Sequence, residues 1–297
     1  MEFEGRLPEE GINTSKEHPL REFFVLVGGL VGGAVLFVTV VAVSIDLLVP
    51  LLPPSWEVRI FSADWLAPDA EGESEPRDVA LQELLDRLLA HAPESPYTFR
   101  VGVLEDPQPN AMAFPGGSIL VTSGLLDAVE SENELALVLG HELGHYAGRD
   151  HLRGLGRSLA WAFVAAALGS SGADVATGLA DLAAQVTQRG FDRDQESDAD
   201  RFGLALVQAE YGHVAGASDF FTRGPDDLFT AGFGGELESY LSTHPMDDDR
   251  IEALHREAQR RGWTLDGTTR PLAAVLRSPA DDGDDAEVPS ESESLFE

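Results

Sequence analysis

Leu135-Ala136-Leu137-Val138-Leu139-Gly140-His141-Glu142-Leu143-Gly144-His145-Tyr146-Ala147 is apolar on nearly every side of a helix, yet it carries two histidines and a glutamate. A helix apolar all round is a buried helix. Burying three such polar groups without partners is costly. Residues four apart share a helix face, so His141 and His145 present two imidazoles to one metal ion. Glu142 stands beside them, placed to act as general base on a water at that metal. Ser131 is a candidate N-cap, with Glu134 three residues on as its capping-box partner.

A catalytic zinc takes three protein ligands and keeps one position open. Glu196 offers the third. Glu196 and Asp200 are four apart, and their stripe runs on through Gly203, Leu204 and Val207 as a core-facing set. Asp200 is then placed to accept the free ring N–H of a ligand histidine. The alternative for this pair is a solvated face within the acidic run Asp192, Asp194 and Asp198. His244 precedes Pro245 and a helix that the sequence starts near Asp247, so it is available to a neighbouring site; otherwise it is an ordinary surface histidine. His151 lies six residues beyond His145, off the ligand face, and reads as structural.

The rest of the chain carries 52 acidic against 20 basic residues, a formal charge of −32, and its single lysine is Lys16. Such a surface repels phosphate backbones, so no nucleic-acid partner is expected. Without cysteine, neither disulfides nor thiolate metal sites are available. Phe23 to Ile45 is free of charge and long enough to cross a bilayer, with a buried core helix or a cleaved signal segment as alternatives. Arg6, Lys16 and Arg21 precede it and Arg59 follows, which orients the N-terminus to the cytoplasm and the main domain outward. The expected organisation is a polar tail (1–22), a single-pass anchor in membrane lipid (23–49), a Pro-rich acidic linker (50–76), one domain (77–278) and a disordered acidic tail (279–297). Within the domain, a helix is expected over 79–91 and strands over Tyr97–Leu104, Ala111–Phe114 and Ser118–Thr122, the last two joined at Pro115-Gly116-Gly117. Leu159–Leu168 is too short to span alone and is expected as part of a helix hairpin packed on the core, a membrane-dipping segment being the alternative.

Five segments together resemble a family. Asn110–Gly117, Thr122–Leu126, His141–His145, Glu196–Asp200 and Ser242–Pro245 with Arg250-Ile251 are similar, in order, to the membrane-associated zinc endopeptidases that include the HtpX, BepA, Oma-type and CAAX prenyl proteases. The resemblance covers about residues 77–260. It implies an α+β, mainly helical gluzincin domain with a small antiparallel sheet, plus the one N-terminal transmembrane helix. It implies one zinc per chain on His141, His145 and Glu196, Glu142 as general base, and His244 as a loop histidine that stabilises the transition state or blocks the open position. It implies that a protein or peptide substrate lies along an edge strand at Ser118–Thr122, touching Gly117, Ser118, Ile119, Leu120 and Val121. Unfolded or misassembled envelope proteins are the expected substrates, with a narrow processing protease or a non-enzymatic zinc-stabilised module as alternatives. The single span departs from the members with several spanning helices.

Overall fold

The computed structural model describes residues 19–61, 75–167, 192–223, 244 and 248–277. The start of the polar N-terminal segment, much of the Pro-rich segment and the acidic tail lie outside these. In chain order the helices longer than one 3₁₀ turn are α1 (Pro19–Leu48), α2 (Pro54–Ile60), α3 (Pro76–Leu89), α4 (Ser123–Ala128), α5 (Glu132–Gly148), α6 (Asp150–Ala167), α7 (Arg193–Tyr211), α8 (Asp219–Thr222) and α9 (Asp248–Arg261). The strands are β1 (Arg100–Leu104), β2 (Ala111–Phe114) and β3 (Ser118–Thr122). The chain divides into two compact units: Met1–Leu52 with Leu152–Leu182, and Pro53–His151 with Ala183–Glu297.

The second unit is α+β and mainly helical. Leu81, Leu84, Leu85 and Leu88 recur at helical spacing on α3 and pack with Ile119 and Val121 of β3 and with Leu135–Leu139 of α5 into one core. Fourteen residues of α5, Asn133 to Tyr146, are buried without a break. Ser131 caps the helix by accepting the Glu134 N–H at 3.3 Å. The Glu134 carboxylate reaches back to the N–H of Glu130, one residue before the cap.

The strand order is β1-β3-β2. β2 and β3 form the expected antiparallel hairpin. β1 pairs with β3 in parallel, so the sheet is mixed rather than antiparallel. β3 is therefore the central strand, and its backbone groups are occupied on both sides. The expectation that Ser118–Thr122 is an edge strand is corrected on that ground; among the described residues the outer strands are β1 and β2.

The Pro-rich segment contains a helix where a linker was expected. Proline tolerates the first helical turn, because the N–H it lacks would be unsatisfied there anyway, and α2 starts on Pro54. Its Glu57 is buried, 2.6 Å from His151 Nε2, and accepts hydrogen bonds from Tyr97 Oη and the Gly116 N–H. His151 is thus structural. Removing one partner of a buried ion pair typically costs about 3–5 kcal/mol, so Glu57→Ala should lower the melting temperature of the detergent-solubilised protein well beyond the change from a surface mutation. Burial alone would raise the Glu57 carboxyl. The hydrogen bond and charge of His151, with Tyr97 and Gly116, outweigh it and hold the carboxyl below its ordinary value. A depressed acid contributes stability above its unfolded pKa of about 4.3, and loses it as pH falls through the folded value. The gap between wild type and Glu57→Gln should be full at neutral pH and close on acidification below about pH 4.

In the first unit, α1 has 30 residues, about 45 Å at about 1.5 Å per residue, and its most apolar window is 0% buried. α6 packs against it. The rings of Phe37 and Phe163 are 5.3 Å apart, and Arg157 Nη2 donates to Asp46 Oδ1 at 3.1 Å. The second half of the expected hairpin, beyond Ala167, lies outside the described residues; within the first unit α6 buries part of its apolar face on α1.

Candidate metal centre

Two helices cross at the site with no side chain between them. A Cβ on Gly144 of α5 would come within 2.6 Å of Ala199 Cα on α7, and one on Gly140 within 2.8 Å of Gly203 Cα. Small residues four apart on each helix let the backbones touch. Asp192 fixes the start of α7 through a full capping box with Gln195. Glu196, one residue on, is thereby carried over the face that holds His141 and His145.

His141, His145, Glu196 and His244 are all buried, and one ligand atom from each lies within 4.8 Å of every other. His141 donates its Nδ1–H to Asp200 Oδ1 at 2.9 Å. His145 donates its Nδ1–H to Asp150 Oδ2 at 3.1 Å. A carboxylate only accepts, so both Nε2 atoms are left to face inward. They lie 3.0 Å apart, each 3.5 Å from a Glu196 oxygen. Two imidazole nitrogens and a carboxylate converging at these distances could share a cation. Burial disfavours a proton on His145, but Asp150 and Glu196 prevail and raise its pKa to about 9. Imidazole and carboxylate in this number fit a divalent metal such as zinc.

Beyond the ligand atoms, Arg250 meets both Glu196 and Asp200 of α7. Its Nε and Nη2 grip the two oxygens of Asp200 at 2.9 and 2.7 Å, and its Nη1 is 2.7 Å from Glu196 Oε2. A planar fork suits this bidentate contact. Asp150 is held in turn by Gln195 Nε2 at 2.6 Å. Groups that orient a metal-binding histidine are worth about 10–100-fold in affinity. Asp150→Asn should weaken zinc binding by about that factor in competition with a chromophoric chelator; unchanged affinity would remove Asp150 from the centre.

Glu142 is buried beside the ligands. Its carboxyl is raised above its ordinary value, chiefly by burial, against the opposing charge of His244 and His145 and a hydrogen bond from the Ala113 N–H. Its Oε1 makes no hydrogen bond among the described residues and lies 3.6 Å from His244 Nε2. His244 Nδ1 is 3.1 Å from both His141 Nε2 and Glu196 Oε1. His141, Glu142, His145, Glu196, Asp200 and His244 are therefore brought together. Ser118–Val121 lie in β3 and Gly117 in the turn before it, whereas β2 meets Glu142 through the Ala113 N–H. Asp150 and the reach of Arg250 went unread in the sequence. An aspartate five residues past a ligand histidine lies off the helix face until the chain turns, and Arg149 turns it with a left-handed φ of 56°.

The sequence profile of Peptidase family M48 matches residues 75–258. A Vibrio cholerae protein carrying the name beta-barrel assembly-enhancing protease, there given provisionally, is 33% identical over 62% of this chain and 40% of its own. The mitochondrial metalloendopeptidase OMA1 of Schizosaccharomyces pombe is 28% identical over 64% of this chain and 57% of its own. The metalloprotease YcaL of Escherichia coli is 32% identical over 54% of this chain and 61% of its own. The chain thus spans less than two thirds of the length of each of these relatives.

Proposed function

Because this chain belongs to Peptidase family M48, we propose that it is a membrane-anchored zinc metalloendopeptidase that hydrolyses peptide bonds in unfolded or misassembled envelope proteins. The observation that carries the reading is the convergence of His141, His145 and Glu196 next to a buried carboxylate, Glu142, whose Oε1 has no hydrogen bond among the described residues. A purely structural metal site has no need of such a group.

Zinc held by His141, His145 and Glu196 would supply Lewis acidity, acidifying water and polarising the scissile carbonyl. The chain's own groups do the rest. Glu142 Oε1 takes the proton of the attacking water and delivers it to the departing amine. Burial favours its protonated form, which suits a group that must hold a proton between two transfers. The His244 Nδ1 faces the Glu196 carboxylate, so His244 would donate from Nε2 to the developing oxyanion in its imidazolium form. Asp200 and Asp150 keep the two ligand rings turned inward; against burial, His141 and then Arg250 hold the Asp200 carboxyl below its ordinary value, and His145 and His244 do so for Glu196. A substrate in extended form would add a strand to β2, whose Ala113 N–H already meets Glu142.

Residues 23–49 would anchor the chain in lipid. The basic residues before α1 favour a cytoplasmic N-terminus and an extracytoplasmic domain spanning about 77–278. The beta-barrel and mitochondrial relatives support a role in envelope quality control. The test is digestion of casein and of an unfolded outer-membrane protein by the full chain in membranes. Cleavage should stop with a zinc chelator and return with added zinc. Cleavage indifferent to the chelator would overturn the proposal.

A further inference from the structure

The first unit contains a second apolar helix that the single-span reading leaves without a role. Three contacts fix how α6 runs along α1. Arg157 and Arg153 meet Asp46 at 3.1 and 3.8 Å. A Cβ on Gly156 would come within 2.6 Å of Ile45 Cδ1. Phe163 meets Phe37 with ring centroids 5.3 Å apart. As α6 advances, its partners on α1 retreat, so the two helices are antiparallel. The coverage of α1 agrees: Ala34, Val38, Val41 and Ile45 are partly buried at helical spacing, whereas Leu20–Gly33 is exposed throughout.

From Asp46 back to Phe37 the helix rises about 13 Å at about 1.5 Å per residue, close to half of a hydrocarbon core of about 30 Å. If α1 crosses the bilayer with Asp46 near its edge, Phe163 lies near the middle. The sequence is consistent with that depth. Arg153 and Arg157 are the last charges, and Ser158–Ala167 carries none. Long arginine stems can hold their heads at the interface while their helix goes deeper. Leu159 and Phe163 remain 45% and 63% exposed, apolar surface that water penalises and acyl chains accept.

We propose that α6 enters the bilayer at the Asp46 end of α1 and lies antiparallel to its second half, with lipid acyl chains covering Leu159 and Phe163. This rests on the reading of α1 as the membrane span, and the experiment separates the two. The chain has no cysteine, so single-cysteine variants of the full protein report cleanly. In membranes opened to reagent on both sides, Leu159→Cys and Phe163→Cys should react with a charged maleimide at least about ten-fold more slowly than Glu83→Cys, as Leu30→Cys should, because hydrocarbon holds no water. An environment-sensitive dye on Phe163→Cys should be quenched by nitroxide on lipid chains and not by aqueous iodide. Phe37→Cys with Phe163→Cys should form an intramolecular disulfide on oxidation. Fast labelling at 163 with protection at 30 overturns the membrane placement of α6 alone. Fast labelling at 30 overturns the span and the proposal together. Protection at 163 without lipid quenching means cover by protein and also overturns it, and failure of the disulfide overturns the antiparallel packing.

Discussion

Glu142→Gln lowers turnover by about 10²–10⁴-fold, the usual worth of a general acid–base group, while the protein keeps its zinc. Glutamine nearly matches glutamate in shape, so the burial beside Ala113 survives, but the amide can neither take a proton from water nor return one to the amine. The metal ligands are other residues: the close nitrogen and oxygen contacts run among His141, His145, Glu196 and His244. Metal analysis of the purified variant should give about one zinc per chain, as for a site with three protein ligands, beside steady-state kinetics on the substrates named above. Equal kcat in variant and wild type would remove Glu142 from the chemistry. Loss of zinc with loss of turnover would make it a ligand instead.

Gly144→Leu abolishes zinc retention, although position 144 touches no ligand atom. Leucine is the better helix former by close to 1 kcal/mol, so helix propensity predicts a more stable protein. Packing opposes it more strongly. Even the first carbon of the side chain would meet Ala199 Cα at 2.6 Å, and overpacking typically costs about 1–3 kcal/mol or more. α5 and α7 must then part, and Glu196 leaves with α7. Gly144→Ala should show the same loss in reduced form. The measurements are zinc affinity and melting temperature, each with Gly102→Ala as a control for replacement of a glycine whose added Cβ would meet nothing closer than 3.8 Å. Normal zinc binding by Gly144→Leu would mean that helix contact does not position Glu196.

The local parts of this centre were legible in the sequence because helices have a fixed period. That period pairs His141 with His145 and Glu196 with Asp200, and binds each pair to one face. It says nothing of partners reached after a turn, so Asp150 escaped notice. It says nothing of which strand lies in the middle of a sheet, because strand order is set by pairing across distant segments; β3 was taken for an edge on that account. Glu57 was hidden among prolines and acids, where composition suggests a solvated linker and only the fold reveals a buried carboxylate. Leu159–Leu168 reads as apolar and too short to span, and helical period alone does not name the face of α1 that Phe163 meets.

The unbroken burial of α5 has a kinetic corollary. Amides enclosed in this way exchange hydrogen only when the surrounding domain opens as a whole, whereas ends and loops fray continually. His141 and His145 therefore sit on chain that does not breathe on its own. Metal turnover faster than global unfolding has to proceed by displacement of His244 or Glu196, and hydrogen exchange followed beside zinc release would reveal whether the two processes keep the same clock.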